Sequence, residues 1–192
     1  MSCEESQSTF KALIAKAQVC GLHHHLKINQ HSRQLIKAAD QEKRMLNSVE
    51  IKSICTQAGT NPKAISLTIS EAANYVDRCK QTLQMQQTYL FEEGGALYPT
   101  ERADSCWRDC WNFLRVASYA MASDTPECTD PEGIQAVRQL YKLLNVPAEG
   151  MTLALQTLSE LVTTDLQKRD LPKEALCLKK AFTHLNNTLH KG

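Results

Sequence analysis

The chain has 192 residues, 42% of them apolar and 6% aromatic, with 22 basic against 21 acidic side chains. That size and composition suit one soluble domain able to bury its own core. A net charge of +1 excludes the concentrated basic face that a nucleic-acid or anionic-membrane partner requires.

No apolar run reaches the roughly 18 residues a membrane-spanning helix needs, and the opening MSCEESQSTF lacks the basic-then-apolar order of a signal peptide. A cytoplasmic protein is expected. The eight cysteines show no C-x-x-C pair, which predicts mostly reduced thiols and argues against a zinc-ribbon or thioredoxin-like site.

Apolar residues recur at spacings of three and four, as in Val137, Leu140, Tyr141 and Leu144, and alternating strand patterns are missing. The expected class is all-α. The spacing predicts helices over 8–20, 29–38, 40–58, 62–85, 100–122, 131–145, 147–167 and 172–189. Asn61-Pro62 and Asp130-Pro131 each join a capping side chain to a proline at the first helical position, and so mark helix starts. Pro99-Thr100, Val146-Pro147 and Leu171-Pro172 are weaker signals of the same kind, while Gly59 and Gly94-Gly95 suit helix ends.

Near the N-terminus, Cys20, His23, His24, His25 and His31 invite a metal reading. Consecutive histidines on a helix point in different directions, however, and no second ligand pair has the required spacing. No metal is expected. A haem globin is disfavoured because no histidine occurs between residues 32 and 183, where a proximal ligand would sit.

The helix over 100–122 places Ala103, Cys106, Trp107, Cys110, Phe113, Leu114, Ala117, Ala120 and Met121 on one face. On spacing alone Cys106 and Cys110 read as core packing, since buried cysteine behaves as a small hydrophobe.

The run GGALYPTERADSCWRDCWNFLRVASYAMAS, residues 94–123, resembles the chromophore-helix region of phycobiliproteins, above all the allophycocyanin-like phycobilisome subunits. The matching residues are Gly94-Gly95, Tyr98, Cys106-x-Arg108-Asp109, Phe113-Leu114-Arg115 and Tyr119. Gly133 and VRQLYKLLNVPAEGM at 137–151 resemble the following helix and turn, with Asn145 where glycine is usual. Ala39-Asp40, Arg44 and Leu46 resemble the family's first helices.

The resemblance covers about residues 38–190. It implies a globin-like phycobiliprotein fold with an N-terminal helical hairpin, divided as an extension over 1–37 and a globin domain over 38–192.

What the resemblance implies for function is a bilin-binding light-harvesting subunit of the phycobilisome, not an enzyme, at the cytoplasmic face of thylakoid membranes. The linear tetrapyrrole, phycocyanobilin or a related bilin, would attach through Cys106, with Asp109 accepting from the pyrrole N–H groups and Arg108 holding a propionate. Asp40, Arg115 and Tyr119 match residues that join two phycobiliprotein-type subunits. Were that interface closed, the N-terminal segment next to Asp40 in sequence would be what covers it.

Three departures bear on these expectations. The connection ASDTPECTDPE, residues 122–132, is shorter than in allophycocyanin, and Trp107 and Trp111 either clamp a bilin or fill its space. No cysteine lies between Cys128 and Cys177 to hold a second pigment. The short loop and the extension also motivate an alternative, a pigment-poor relative acting in phycobilisome assembly, disassembly or regulation.

Overall fold

Asparagine and aspartate caps set several helix starts in the computed structural model, which describes residues 3–190. The helices are α1 (Cys3–Lys16), α2 (Gln30–Gln41), α3 (Ser48–Ala58), α4 (Pro62–Ser70), α5 (Ala72–Gln86), α6 (Thr100–Ala122), α7 (Pro131–Leu143), α8 (Ala148–Lys168) and α9 (Pro172–His190). Short 3-10 turns lie at Leu22–His24 and Thr88–Leu90. As expected, α4 and α7 start on their prolines, with Asn61 and Asp130 accepting from the free amides of Lys63 and Gly133.

Two expected helices are each broken in two. The pattern predicted one helix over 40–58, but α2 ends at Gln41 and the chain turns through Lys43, whose φ is 52°. Asn47 then caps α3 by a reciprocal box: its side chain accepts from the amide of Glu50, and the Glu50 carboxylate accepts from the amide of Asn47. Arg44 clamps the same carboxylate with two bonds of 2.7 and 2.8 Å.

The helix expected over 62–85 breaks at Glu71 between α4 and α5, without glycine or proline. Just before the break, the Thr68 and Ser70 hydroxyls donate to the carbonyls of Ala64 and Leu67, a back-bonding that bends helices.

The first helix also shifts, running to Lys16 instead of over 8–20. Residues 19–21 leave the helix to pair with the loop before α7: Gly21 N–H donates to Cys128 O at 2.8 Å, and Asp130 N–H to Val19 O at 2.9 Å. Tertiary pairing here overrides the local helical period.

At the centre lies α6, on which every residue from Phe113 to Ala122 is buried. A helix enclosed all round must be packed by several neighbours, and α3, α4, α5, α8 and α9 supply them. Cys20, Leu22, Ile28 and Ile36 belong to the same hydrophobic core as α6. The boundary expected between residues 37 and 38 therefore falls inside α2, and the extension is built into the core; residues 1–2 and 191–192 of the two expected domains lie outside the described residues. Among the described residues no helix is long and apolar enough to cross a membrane.

Candidate functional site

On α6 the spacing of three and four puts Arg102, Ser105, Cys106 and Asp109 on one face, and this face forms a wall of a cleft of about 270 Å³. Tyr141 and Leu144 from the end of α7, Val146 and Pro147 from the following turn, and Ala96 and Leu97 from the loop before α6 complete it. The turn depends on Asn145, which takes a left-handed conformation with φ 51°. Asparagine tolerates that region, so it stands in for the glycine expected there.

Across the cleft, Arg102 Nε donates to Ala96 O at 2.7 Å and Nη2 donates to Leu144 O at 2.6 Å. One guanidinium thus ties the 96–97 loop to the end of α7. Its charge borders the cleft, although the expected propionate holder was Arg108.

The Cys106 side chain is buried, with 6% of the residue exposed at the cleft wall. Asp109, three residues on, accepts from the Tyr141 hydroxyl through Oδ2 at 2.7 Å. Burial pushes the Asp109 carboxyl above its ordinary value, while the Tyr141 bond and the Arg108 charge pull it back. Arg108 itself is exposed, donates to Ser105 Oγ at 2.7 Å, and is not among the cleft walls. At two residues from Cys106 it faces another side of the helix.

Neither tryptophan lines the cleft. Trp107 lies nearly parallel to Phe91, ring centres 6.1 Å apart, with the Lys80 ammonium 5.9 Å from its own ring. Trp111 packs half-buried against the core. The short connection over 124–130 also lies elsewhere, against residues 19–21.

The cysteines from Cys20 to Cys177 are free thiols. Cys110, one turn below Cys106, is fully buried, and its neighbours Cys106 and Cys79 together with burial push its thiol well up. Burial also holds Cys20 and Cys177 up at about 12. Of these cysteines, Cys106 is the one at the cleft wall.

The second expected constellation meets inside one chain. Arg115 Nη1 donates to Asp40 Oδ1 and to the Tyr119 hydroxyl, both at 2.8 Å, and the Tyr119 hydroxyl donates to Arg44 O. Arg115 is 2% exposed, Asp40 4% and Tyr119 fully buried. The contact expected between chains is made here between α2 and α6 of the same chain. In the N-terminal histidine region, the His23 and His24 rings are 4.0 Å apart and Cys20 is turned into the core. Among the described residues no group of three or more His, Cys, Asp or Glu is placed to hold a metal ion.

A family model described as phycobilisome protein matches residues 34–189. The chain belongs to the phycobilisome protein family. The allophycocyanin subunit beta-18 of Pyropia yezoensis is 29% identical over 119 residues, covering 62% of this chain and 70% of that one. The allophycocyanin beta chain of Thermosynechococcus vestitus is 29% identical over 145 residues, covering 73% and 88%. A solved far-red fluorescent biliprotein, derived from an allophycocyanin F subunit of Chroococcidiopsis thermalis, superposes with a TM-score of 0.59 at 20% identity, over 76% of this chain and 100% of that one.

The fold of this phycobilisome protein is accordingly the globin-like, all-α phycobiliprotein fold. The family match begins inside α2, so α1 and the segment pairing with residues 128–130 lie before it. Two cleft residues, Arg102 and Tyr141, escaped the sequence reading. Arg102 was findable, because it lies four residues before Cys106 and must share its face. Tyr141 reaches Asp109 only through the packing of α7 on α6, which spacing within one helix does not encode.

Proposed function

We propose that this phycobilisome protein is a bilin-binding light-harvesting subunit and that the pigment attaches through Cys106. The observation that carries the reading is the convergence of a thiol, a carboxylate and an arginine on one cleft: Cys106, Asp109 and Arg102 all line it.

The donor set suits a linear tetrapyrrole. Cys106 would hold the pigment as a thioether, its sulfur adding to an unsaturated side group of the first ring while the thiol proton goes to the adjacent carbon, with no net redox change. Asp109 uses Oδ2 for Tyr141, and a carboxylate has two acceptor oxygens, so Oδ1 can serve pyrrole N–H groups. A guanidinium beside the cleft suits a propionate, a role that falls to Arg102 by position and to Arg108 by resemblance. When bound, the bilin supplies visible absorption and passes excitation onward; the chain itself catalyses no reaction.

At about 270 Å³ the cleft is slightly under the roughly 300–1,000 Å³ of pockets that enclose most of a ligand. A cleft of that size would enclose the attachment end of a bilin and not the whole pigment. The same smallness supports the second reading, an unpigmented relative acting in phycobilisome assembly, disassembly or regulation. In either reading the partners are phycobilisome components at the cytoplasmic face of thylakoids.

Recombinant chain supplied with phycocyanobilin separates the two. The expected result is a denatured band fluorescing with zinc in wild type and lost in Cys106→Ala. Labelling that persists in Cys106→Ala overturns the attachment site, and a colourless wild type recovered with phycobilisome fragments supports the second reading.

A further inference from the structure

On α7 a spacing of four puts Ile134 and Arg138 on one face, and on α9 the same spacing pairs His184 with Thr188. These faces meet the turn carrying His24 and His25 across a hollow of about 510 Å³, which Glu127 and Thr129 also border. The hollow shares no lining residue with the Cys106 cleft and is nearly twice its size. It falls within the roughly 300–1,000 Å³ of small-molecule sites. Its histidine wall comes from residues before the family match, which begins at residue 34.

Gly21 allows that wall to stand where it does. A Cβ there would lie 2.4 Å from Thr129 O, so only glycine lets the turn sit flush against the loop before α7. Burial, then the neighbouring His24, holds the His23 imidazole below its ordinary value, and this neutral ring packs with its centre 4.0 Å from that of His24. His25 Nδ1 is enclosed without a hydrogen-bond partner. A lone pair tolerates that better than an N–H, so the neutral ring carries its proton on Nε2, as a donor.

Thr129 Oγ1 and His184 Nε2 are 2.8 Å apart. Where the imidazole donates, the hydroxyl keeps its own hydrogen for a further acceptor. Thr188, by contrast, spends its hydrogen on the carbonyls of His184 and Leu185. Arg138 adds a permanent positive charge on a planar fork of donors. Against these donors the hollow has one bordering carboxylate, that of the exposed Glu127.

We infer that this hollow binds a small organic phosphate monoester, with the phosphoryl group held by Arg138, His25 and Thr129 and the organic body against Ile134 and the His24 ring. A phosphoryl group fits better than a lone carboxylate because its three oxygens can accept from donors that arrive from three sides: α7, the histidine turn and the loop before α7. The volume leaves room beyond the phosphoryl group for a body of nucleotide size.

Calorimetric titration of the full-length apoprotein in phosphate-free buffer tests this and needs no pigment, so its outcome is separate from whether Cys106 takes a bilin. The probes are adenosine monophosphate, inorganic phosphate and adenosine. The monophosphate should bind with a Kd below about 1 mM, inorganic phosphate several-fold more weakly, and adenosine not measurably. Arg138→Met should weaken the monophosphate at least about tenfold, the loss of one charge-assisted contact. Glu127→Gln should tighten it, an effect that damage to the fold would not produce, and Cys106→Ala should bind as wild type does. Where Arg138→Met fails to fold, Glu127→Gln decides. The inference is overturned if neither phosphate compound binds at about 10 mM, if adenosine or inorganic phosphate binds as tightly as the monophosphate, or if a folded Arg138→Met or Glu127→Gln leaves the affinity unchanged.

Discussion

Arg115→Ala should lower the unfolding free energy by about 3–5 kcal/mol, because breaking a buried ion pair from one side leaves the other charge enclosed without its partner. Arg115 is 2% exposed and bonds both Asp40 and Tyr119, so its removal strips two acceptors at once. The remaining cation near Asp40, Lys43, cannot compensate: its ammonium is 3.5 Å away and its side chain is 58% exposed, the range in which ion pairs are worth under about 1 kcal/mol. For a chain of this size the loss corresponds to a fall of roughly 6–20 °C in melting temperature.

Asp40→Ala should cost less, since Arg115 keeps the Tyr119 hydroxyl and lies with its guanidinium carbon 5.3 Å from the Tyr119 ring centre. The double variant should be little worse than Arg115→Ala alone, because the two losses share one interaction. Urea midpoints on the monomer measure all three. Additive losses in the double variant would show that the two side chains act separately.

Much of the helical frame was legible because its punctuation is local. Asn61-Pro62, Asp130-Pro131 and Pro172 each start a helix where expected, and Asn145 holds the turn after α7 in the conformation glycine usually provides. The break before α3 was also written locally, in Asn47 and Glu50, but the apolar period ran through it and concealed the cap. By contrast, the end of α1 at Lys16 follows from pairing with residues 128–130, a contact more than a hundred positions away.

The site divides along the same line. Cys106 and Asp109 share a face because they are three apart, and Arg108 points elsewhere because it is two from Cys106. Likewise Arg115 and Tyr119, four apart, were bound to meet on α6. Which Asp40 they meet, their own or another chain's, depends on how α2 lies against α6, and one chain's spacing is the same in both cases.

Tyr141→Phe should destabilise the protein by about 1–3 kcal/mol at neutral pH, the cost of leaving a half-buried acceptor unbonded. The pH dependence distinguishes this from a packing defect. Burial is the largest influence on Asp109 and raises its carboxyl, and the Tyr141 bond opposes that rise. Burial, then the neighbouring Asp109, holds the Tyr141 phenol well above its own ordinary value, so it remains a donor across the neutral range. An acid whose pKa is raised by folding binds more protons folded than unfolded, and stability falls as pH climbs from the unfolded carboxyl value, about 3.9, through the folded one.

Wild type should show this fall weakly. Without the tyrosine hydroxyl the folded value moves further up, so the fall deepens and extends to higher pH, while below about pH 4 both states are protonated and the penalty shrinks. Urea midpoints of wild type and Tyr141→Phe should therefore draw closer at pH 4 than at pH 8. Asp109→Asn in the Tyr141→Phe background should flatten the profile by removing the titrating group. A gap between the two proteins that does not change with pH would mean that the Tyr141 hydroxyl stabilises the fold without acting on the Asp109 charge.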